Sequence, residues 1–283
     1  MNTVFEIFTY TFMVRALIVG ILVSLCSALL GVSLVLKKYS MIGDGLSHVS
    51  FGALALATSL GLSPIKFTVP VVVIAAILLL RVNEKTKFKG DAAIGIISVA
   101  ALAFGVISIK ITGGLSTDLY NYLFGSILAM TKSDVTLSIA LSVFVLLAYV
   151  VLYNKIFAVT FDESFAKACG TKVDLYNTLI ATLTAVTIVL GMRMMGTLII
   201  SALIIFPAVT AMRLFKSFKS VTITSAFLSV LSFIIAFFVS YIYDLPTGAT
   251  IVIVDTLLLI IFILIEKAKA LYYKRAARYA ECS

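Results

Sequence analysis

The sequence predicts an all-α polytopic membrane protein with about 8–9 transmembrane helices and one short re-entrant or surface helix. Three observations carry that expectation. First, 62% of the 283 residues are hydrophobic and only 12% are charged, about half the charged share of an ordinary soluble domain. Second, the apolar residues form continuous runs of about 20, the length that crosses a hydrocarbon core as a helix. Barrel strands would alternate apolar and polar at every second residue instead. Third, the basic residues gather at the ends of the runs, so the net charge of +9 reads as a membrane-topology signal, and nucleic acid is not an expected partner. Hydrocarbon offers backbone groups no partner, which restricts spanning segments to helices or closed barrels.

Nine candidate spans follow along the chain. They cover about Thr11–Leu36, Met41–Leu60, Phe67–Leu80, Ala92–Ile109, Val135–Leu152, Leu175–Met192, Gly196–Met212, Val221–Tyr243 and Gly248–Ile265. The first lacks a basic leader and a small-residue cleavage site, so it is expected to be retained as a span. A tenth segment, Asp118–Met130, is too short to cross alone; Asp118 opens it, either as a helix cap or as an acid of an outer vestibule.

The basic residues fix an orientation. One side holds Lys37, Lys38, Arg81, Lys85, Lys87, Lys89, Lys155, Lys167, Lys172, Arg213, Lys216, Lys219, Lys267, Lys269, Lys274, Arg275 and Arg278, which is 17 of the 22 Lys and Arg. The other side has Arg15, Lys66, Lys110, Lys132 and Arg193. An excess of Lys and Arg marks cytoplasmic loops, so the expectation is an N-terminus outside and a C-terminus inside. The whole chain, 1–283, reads as one transmembrane domain, with a cytoplasmic segment at about 161–173 and a basic cytoplasmic tail at about 266–283.

Catalytic motifs are missing. There is no phosphate-binding GxxxxGK[ST] loop, no HExxH and no GxSxG, and His48 is the only histidine. An enzyme is therefore not expected, and any ATP hydrolysis has to occur in a separate subunit. Cys26, Cys169 and Cys282 are scattered without metal spacing and receive no role.

The stretch richest in chemistry opens the second span: Met41-Ile-Gly-Asp-Gly-Leu-Ser-His-Val-Ser-Phe-Gly. Asp44 and His48 are four residues apart, about 6 Å along a helix axis and on one face. Gly52, Ala55 and Ser59 continue that face as a small, polar stripe, which suits another helix or water better than lipid. A charge in the membrane costs about 2.5–3.5 kcal/mol and is functional by default. Imidazole nitrogen with carboxylate oxygen suits zinc or another first-row divalent ion. The bland alternative is that Asp44 caps the helix while His48 bonds to a neighbour. Two ligands per chain are too few for tight capture, whereas a homodimer would bring two pairs together, and loose coordination is what transport requires.

Two further stretches stand out. Phe161-Asp-Glu-Ser-Phe-Ala-Lys-Ala-Cys-Gly-Thr-Lys lies in the long cytoplasmic connection, where Asp162 or Ser164 could cap a short helix ended by Gly170; such a helix could dock a soluble partner, or the stretch is an ordinary solvated loop. In Met195-Gly-Thr-Leu-Ile-Ile-Ser-Ala-Leu-Ile-Ile-Phe-Pro, Pro207 permits a kink. Gly196, Ser201, Ala202, Ala208 and Ala211 are small enough for close helix packing. Asp255, inside the last span, has no assigned role beyond meeting a Ser or Thr of a neighbour or facing water.

In order, Gly43-Asp44-x-Leu46-Ser47-His48, Asp91-Ala-Ala-Ile-Gly95, Tyr122-Leu-Phe-Gly-Ser126, Phe161-Asp162 with Gly170, and Gly196-Thr-Leu with Pro207-Ala form a series. Over about residues 11–265 this series resembles the permease subunits of bacterial ABC importers for zinc and manganese. The resemblance implies a homodimeric permease in the bacterial cytoplasmic membrane, similar in fold to the importers of vitamin B12 and haem. Two cytoplasmic ATP-binding subunits would drive it, and an extracellular metal-binding protein would deliver the ion. It further implies that Asp44 and His48 are pathway metal ligands and that Phe161, Asp162, Ala166 and Gly170 belong to the ATPase-coupling element. No covalent cofactor is implied; Zn2+ or Mn2+ is cargo. His48-Val-Ser-Phe lacks the proline that many manganese-type members carry after the histidine, and Arg213-Leu-Phe-Lys-Ser-Phe-Lys-Ser-Val221 looks more like zinc-type members. The competing reading is a secondary transporter or ion channel using Asp44, His48 and Asp255 as a relay.

Overall fold

The computed structural model describes residues 9–85, 90–112, 123, 125 and 132–281. Apart from Leu123 and Gly125, the short segment expected at Asp118–Met130 lies outside the described residues. The longer helices follow from the apolar runs: α1 Thr11–Leu36, α2 Ser40–Ser59, α3 Pro64–Lys85, α4 Gly90–Ile111 and α5 Lys132–Phe161, then the short α6 Glu163–Ala168. They continue as α7 Val173–Met195, α8 Thr197–Leu214, α9 Phe218–Tyr243 and α10 Thr247–Glu281. Every one of the nine expected spans is a helix, and the described residues contain no strand. The main differences lie at the ends. The 30-residue α5 runs on to the coupling segment, and the 35-residue α10 carries the basic tail onward as continuous helix.

Among the described residues seven helices are long and apolar enough to cross a bilayer, and α8 contributes the shorter apolar stretch Ile200–Leu214. The other long helix, α2, has 20 residues, about 30 Å at 1.5 Å per residue. It has the length to cross but not the composition, because Gly43, Asp44, Gly45, Ser47, His48, Ser50 and Gly52 fall in its first two-thirds. A helix this polar needs protein around it, and α2 packs most extensively on α4, then on α3, α8 and α7.

Burial separates the centre of the bundle from its rim. The apolar windows of α1 and α7 are 67% and 72% buried, against 22% for α4 and α10. The rim helices expose large apolar side chains such as Ile96, Val99 and Phe104 on α4 and Leu147, Val150 and Val151 on α5, the surface that lipid tails solvate. Between apolar helices in lipid, association depends on close packing and interhelical hydrogen bonds. Both are present on α1. A Cβ at Gly31 would sit 2.0 Å from the Ile204 carbonyl oxygen, so α1 and α8 touch backbone to backbone there. Ser229 Oγ donates to the Ser24 carbonyl at 2.9 Å and Ser225 Oγ to that of Ala28 at 3.4 Å, each bond worth about 0.6 kcal/mol on average.

The polar contacts sort the helix ends into two groups. At one end Lys37 meets Glu163 and Asn177, and Arg213 meets Glu266 at 3.8 Å. At the other, Arg193 forms a buried ion pair with Asp134 at 2.8 Å, and Ser59 meets Thr112 at 3.2 Å. The residues expected on the cytoplasmic side that make these contacts thus share one end of the bundle.

Candidate metal pathway and coupling segment

Helix α2 starts at Ser40, with Tyr39 at the cap position. Asp44 therefore lies in the second turn, and the bland alternative that it caps the helix does not hold. Its carboxylate instead accepts a hydrogen bond across the bundle from Ser201 Oγ of α8, at 3.1 Å to Oδ1. The other oxygen, Oδ2, stands 3.9 Å from His48 Nε2, one turn on. Ser47 Oγ donates to the Asp44 carbonyl at 2.7 Å and lies 3.5 Å from Ser201 Oγ. His48 Nδ1 is buried without a hydrogen-bond partner. The Asp44 side chain keeps 45% of its surface open and His48 17%, so neither donor is sealed off by this chain.

Imidazole nitrogen and carboxylate oxygen are donors that a first-row divalent ion accepts. Two tetrahedral bonds of about 2.0–2.2 Å hold donor atoms about 3.3–3.6 Å apart, so at 3.9 Å the pair stands somewhat wider than a shared ion would draw it. Among the described residues no group of three or more His, Cys, Asp and Glu gathers to hold a metal. One chain thus offers an open pair of candidate donors flanked by hydroxyls.

The stripe that continues that face meets other helices, as expected: Asp44 and His48 line the opening, and Gly52, Ala55 and Ser59 pack against protein. A Cβ at Gly52 would sit 2.6 Å from the Ala101 carbonyl oxygen, which puts the backbones of α2 and α4 in contact there. Ala55 is fully buried, and Ser59 Oγ reaches the Ser108 carbonyl at 3.4 Å.

Ser201 was legible in the sequence only as a small residue for packing. Its hydroxyl on Asp44 requires α8 to face α2, which no single-helix pattern reveals. Gly196, expected as a packing residue, is first a backbone break: at φ 87° it ends α7 and begins α8, a conformation that an L side chain rarely adopts. Helix α8 continues through Pro207 to Leu214, with the Leu203 carbonyl deprived of its usual helical donor. Asp255 is buried on α10 and its Oδ2 has no hydrogen-bond partner; α10 packs on α9 and α8, away from the α2 face that carries Asp44.

The stretch expected to couple to an ATPase contains a capped helix and is not an irregular loop. The Phe165 N–H donates to Asp162 Oδ1 at 2.9 Å, making Asp162 the N-cap of α6. Gly170, at φ 78°, turns the chain so that the Thr171 N–H reaches back to the Ala166 carbonyl at 2.9 Å. Phe161 and Phe165 stand exposed at 58% and 66%. Ala166, expected within the coupling element, is buried with Val159 and Val173. Phe161 also touches Phe157 and Phe218, which brace the end of α5 against α9.

Glu163 opens α6 and was not singled out in the sequence. It binds Lys37 Nζ at 2.5 Å and accepts from Asn177 Nδ2 at 3.2 Å. Partial burial works against its ionisation, but the hydrogen bond and charge of Lys37, with the bond from Asn177, outweigh it and hold the carboxyl below its ordinary value. The linkage sign is that of a depressed carboxylate: its contribution to stability is present at neutral pH and lost only as pH falls through the lowered value.

An all-helical bundle with an open intramembrane donor pair and a capped helix at one end is the architecture of a membrane translocation subunit. The chain belongs to the ABC 3 transport family, whose model matches residues 9–266. It is 30% identical over 269 residues to the manganese import system permease protein ScaB of Streptococcus gordonii, covering 95% of this chain and 96% of that one. It is 32% identical over 247 residues to the high-affinity zinc uptake system membrane protein ZnuB of Haemophilus influenzae, covering 87% and 94%. Among solved structures it resembles PsaBC from Streptococcus pneumoniae in complex with Fab, with a TM-score of 0.83 at 30% identity over 92% of this chain and 94% of that one. A metal-chelate type ABC transporter in an inward-facing conformation is similar at a TM-score of 0.69 and 15% identity, over 89% and 85%, which bears on the fold alone.

Proposed function

We propose that this chain forms the membrane pathway of an ATP-driven importer for divalent transition-metal ions, Zn2+ ahead of Mn2+, and works as a homodimer. The observation that carries the reading is the Asp44–His48 pair, 3.9 Å apart and held from α8 by Ser201, in a family of ABC transport proteins. Relatives named for manganese and for zinc match about equally well, which supports the ion class. Zinc is placed first because His48-Val-Ser-Phe lacks a proline and Arg213–Val221 is similar to zinc-type members; the donor pair itself accepts either ion. In a homodimer two such pairs would serve one translocation unit, each open enough to release the ion. A relay-type secondary transporter would need Asp255 beside the pair, whereas Asp255 is buried on α10 and among the described residues only Ser201 bonds to the Asp44 carboxylate from another helix.

In this reading two cytoplasmic ATP-binding subunits supply the energy, and an extracellular metal-binding protein delivers the ion. Helix α6 docks on the ATP-binding subunit through Phe165, with Phe161 at the end of α5 beside it, both aromatic side chains standing exposed. Phe165→Ala is expected to lower ATPase copurification with the permease at least about tenfold, on the scale of a truncated aromatic anchor. Copurification equal to wild type would remove α6 as the docking element. Ala166→Glu acts differently: it forces a carboxylate into the pocket with Val159 and Val173 and should reduce the yield of folded permease itself, read by gel filtration in detergent.

The orientation follows the charge bias, with the N-terminus outside the bacterial cytoplasmic membrane and the C-terminus inside. Single cysteines at Asn2 and Ser283, in a background without Cys26, Cys169 and Cys282, should react oppositely with an impermeant thiol reagent. External labelling of position 283 in intact cells would reverse the topology. The function as a whole is tested by deleting the protein and measuring uptake: zinc accumulation should fall and return on re-expression, with manganese affected less. Unchanged accumulation of both metals contradicts the proposal.

A further inference from the structure

We propose that Lys37, Glu163 and Asn177 form a positioning node that carries movement of the coupling helix to the base of α2, and so to Asp44 and His48. This rests on the reading of the chain as an ATP-driven metal permease. The Lys37 side chain is only 4% exposed, and a buried ammonium persists only when it is paired and hydrogen-bonded. Its partners come from two other elements: Glu163 Oε1 of α6 at 2.5 Å and Asn177 Oδ1 of α7 at 2.6 Å. Asn177 Nδ2 returns to the same Glu163 oxygen at 3.2 Å, which closes a triangle.

The fourth element joins through the chain. Lys37 is the C-cap of α1, and Lys38 follows at φ 60°, a left-handed conformation that a non-glycine residue rarely adopts. The tight turn is closed by Tyr39 N–H on the Leu34 carbonyl at 2.8 Å. Tyr39 then caps α2, its ring 5.6 Å from the Lys37 ammonium. A cavity of about 10 Å³, bordered by Lys37, Tyr39, Leu80 and Asn177, lies at this meeting point. It is close to the minimum that admits one water, so the packing is tight and leaves little slack to absorb displacement.

The geometry makes the connection short. Asp44 is five residues beyond Tyr39 on a continuous helix, about 7 Å along the axis. Its bond to Ser201 is already 3.1 Å long, so a shift of α2 by less than 1 Å relative to α8 takes it past hydrogen-bond range. Displacing α6 by its docked partner therefore pulls on Lys37 and alters how Asp44 and His48 are presented. The node is separate from the exposed Phe161 and Phe165, so docking and transmission can be tested apart.

The test uses the complete transporter reconstituted in liposomes with its ATP-binding subunits, and reads zinc transported per ATP hydrolysed. Glu163→Gln and Asn177→Leu should leave ATPase copurification unchanged and hydrolysis within about twofold of wild type, while zinc moved per ATP falls at least about fivefold. The exchange Lys37→Glu with Glu163→Lys should recover at least half of that ratio. An unchanged ratio in Glu163→Gln and Asn177→Leu overturns the node, as does a proportional fall of hydrolysis and transport with reduced assembly, which marks a structural brace. A wild-type complex that moves no metal on ATP addition overturns the underlying reading, and the node with it.

Discussion

His48→Ala is expected to abolish nearly all zinc and manganese uptake while leaving the permease folded and able to bind its ATP-binding subunits. Removing the imidazole takes the only nitrogen ligand from a site with two strong donors per chain. Outer-shell partners of metal ligands alone typically account for about 10–100-fold in affinity or activity, so loss of a direct ligand should reach or exceed the top of that range. Asp44→Asn should do nearly as much, since it keeps the shape but replaces an anionic oxygen with a neutral one. Ser201→Ala, which removes only the bond that orients the carboxylate, should cost less. The order His48→Ala, then Asp44→Asn, then Ser201→Ala is measured as metal uptake at matched protein levels. Near-normal uptake in His48→Ala and Asp44→Asn would leave the pair structural and remove the proposed site.

Gly31→Ala is expected to damage the bundle although it adds a single methyl group. The new Cβ would sit 2.0 Å from the Ile204 carbonyl oxygen and 2.9 Å from its carbonyl carbon. A backbone carbonyl cannot rotate aside as a side chain would, so α8 has to move away from α1. Overpacking costs about 1–3 kcal/mol, and a backbone neighbour places this substitution at the upper end. Because α8 carries Ser201, uptake should fall together with thermal stability in detergent. Gly95→Ala is the control: nothing lies within 4 Å of its Cβ, and both readouts should match wild type. Equal stability of the Gly31 and Gly95 variants would mean that α1 and α8 are not in backbone contact.

The helical class and the order of the long helices were legible in the sequence. Hydrocarbon imposes these properties on each segment separately: a run of about 20 apolar residues must satisfy its own backbone, whatever its neighbours. The Asp44–His48 pair was legible for the same reason, since a spacing of four places two side chains together on any helix. So was the Asp162 cap, which acts within a single turn.

What the tertiary structure alone decided involves two or more elements. It set Ser201 against Asp44, buried Ala166 with Val159 and Val173, and chose α4 as the helix that Gly52 meets. It also drew Lys37, Glu163 and Asn177 into one cluster from positions up to 140 residues apart. Periodicity along a helix says which residues share a face, but not which helix that face meets. In this protein the faces that meet protein and those that meet lipid are both built largely from apolar residues, so only packing distinguishes them.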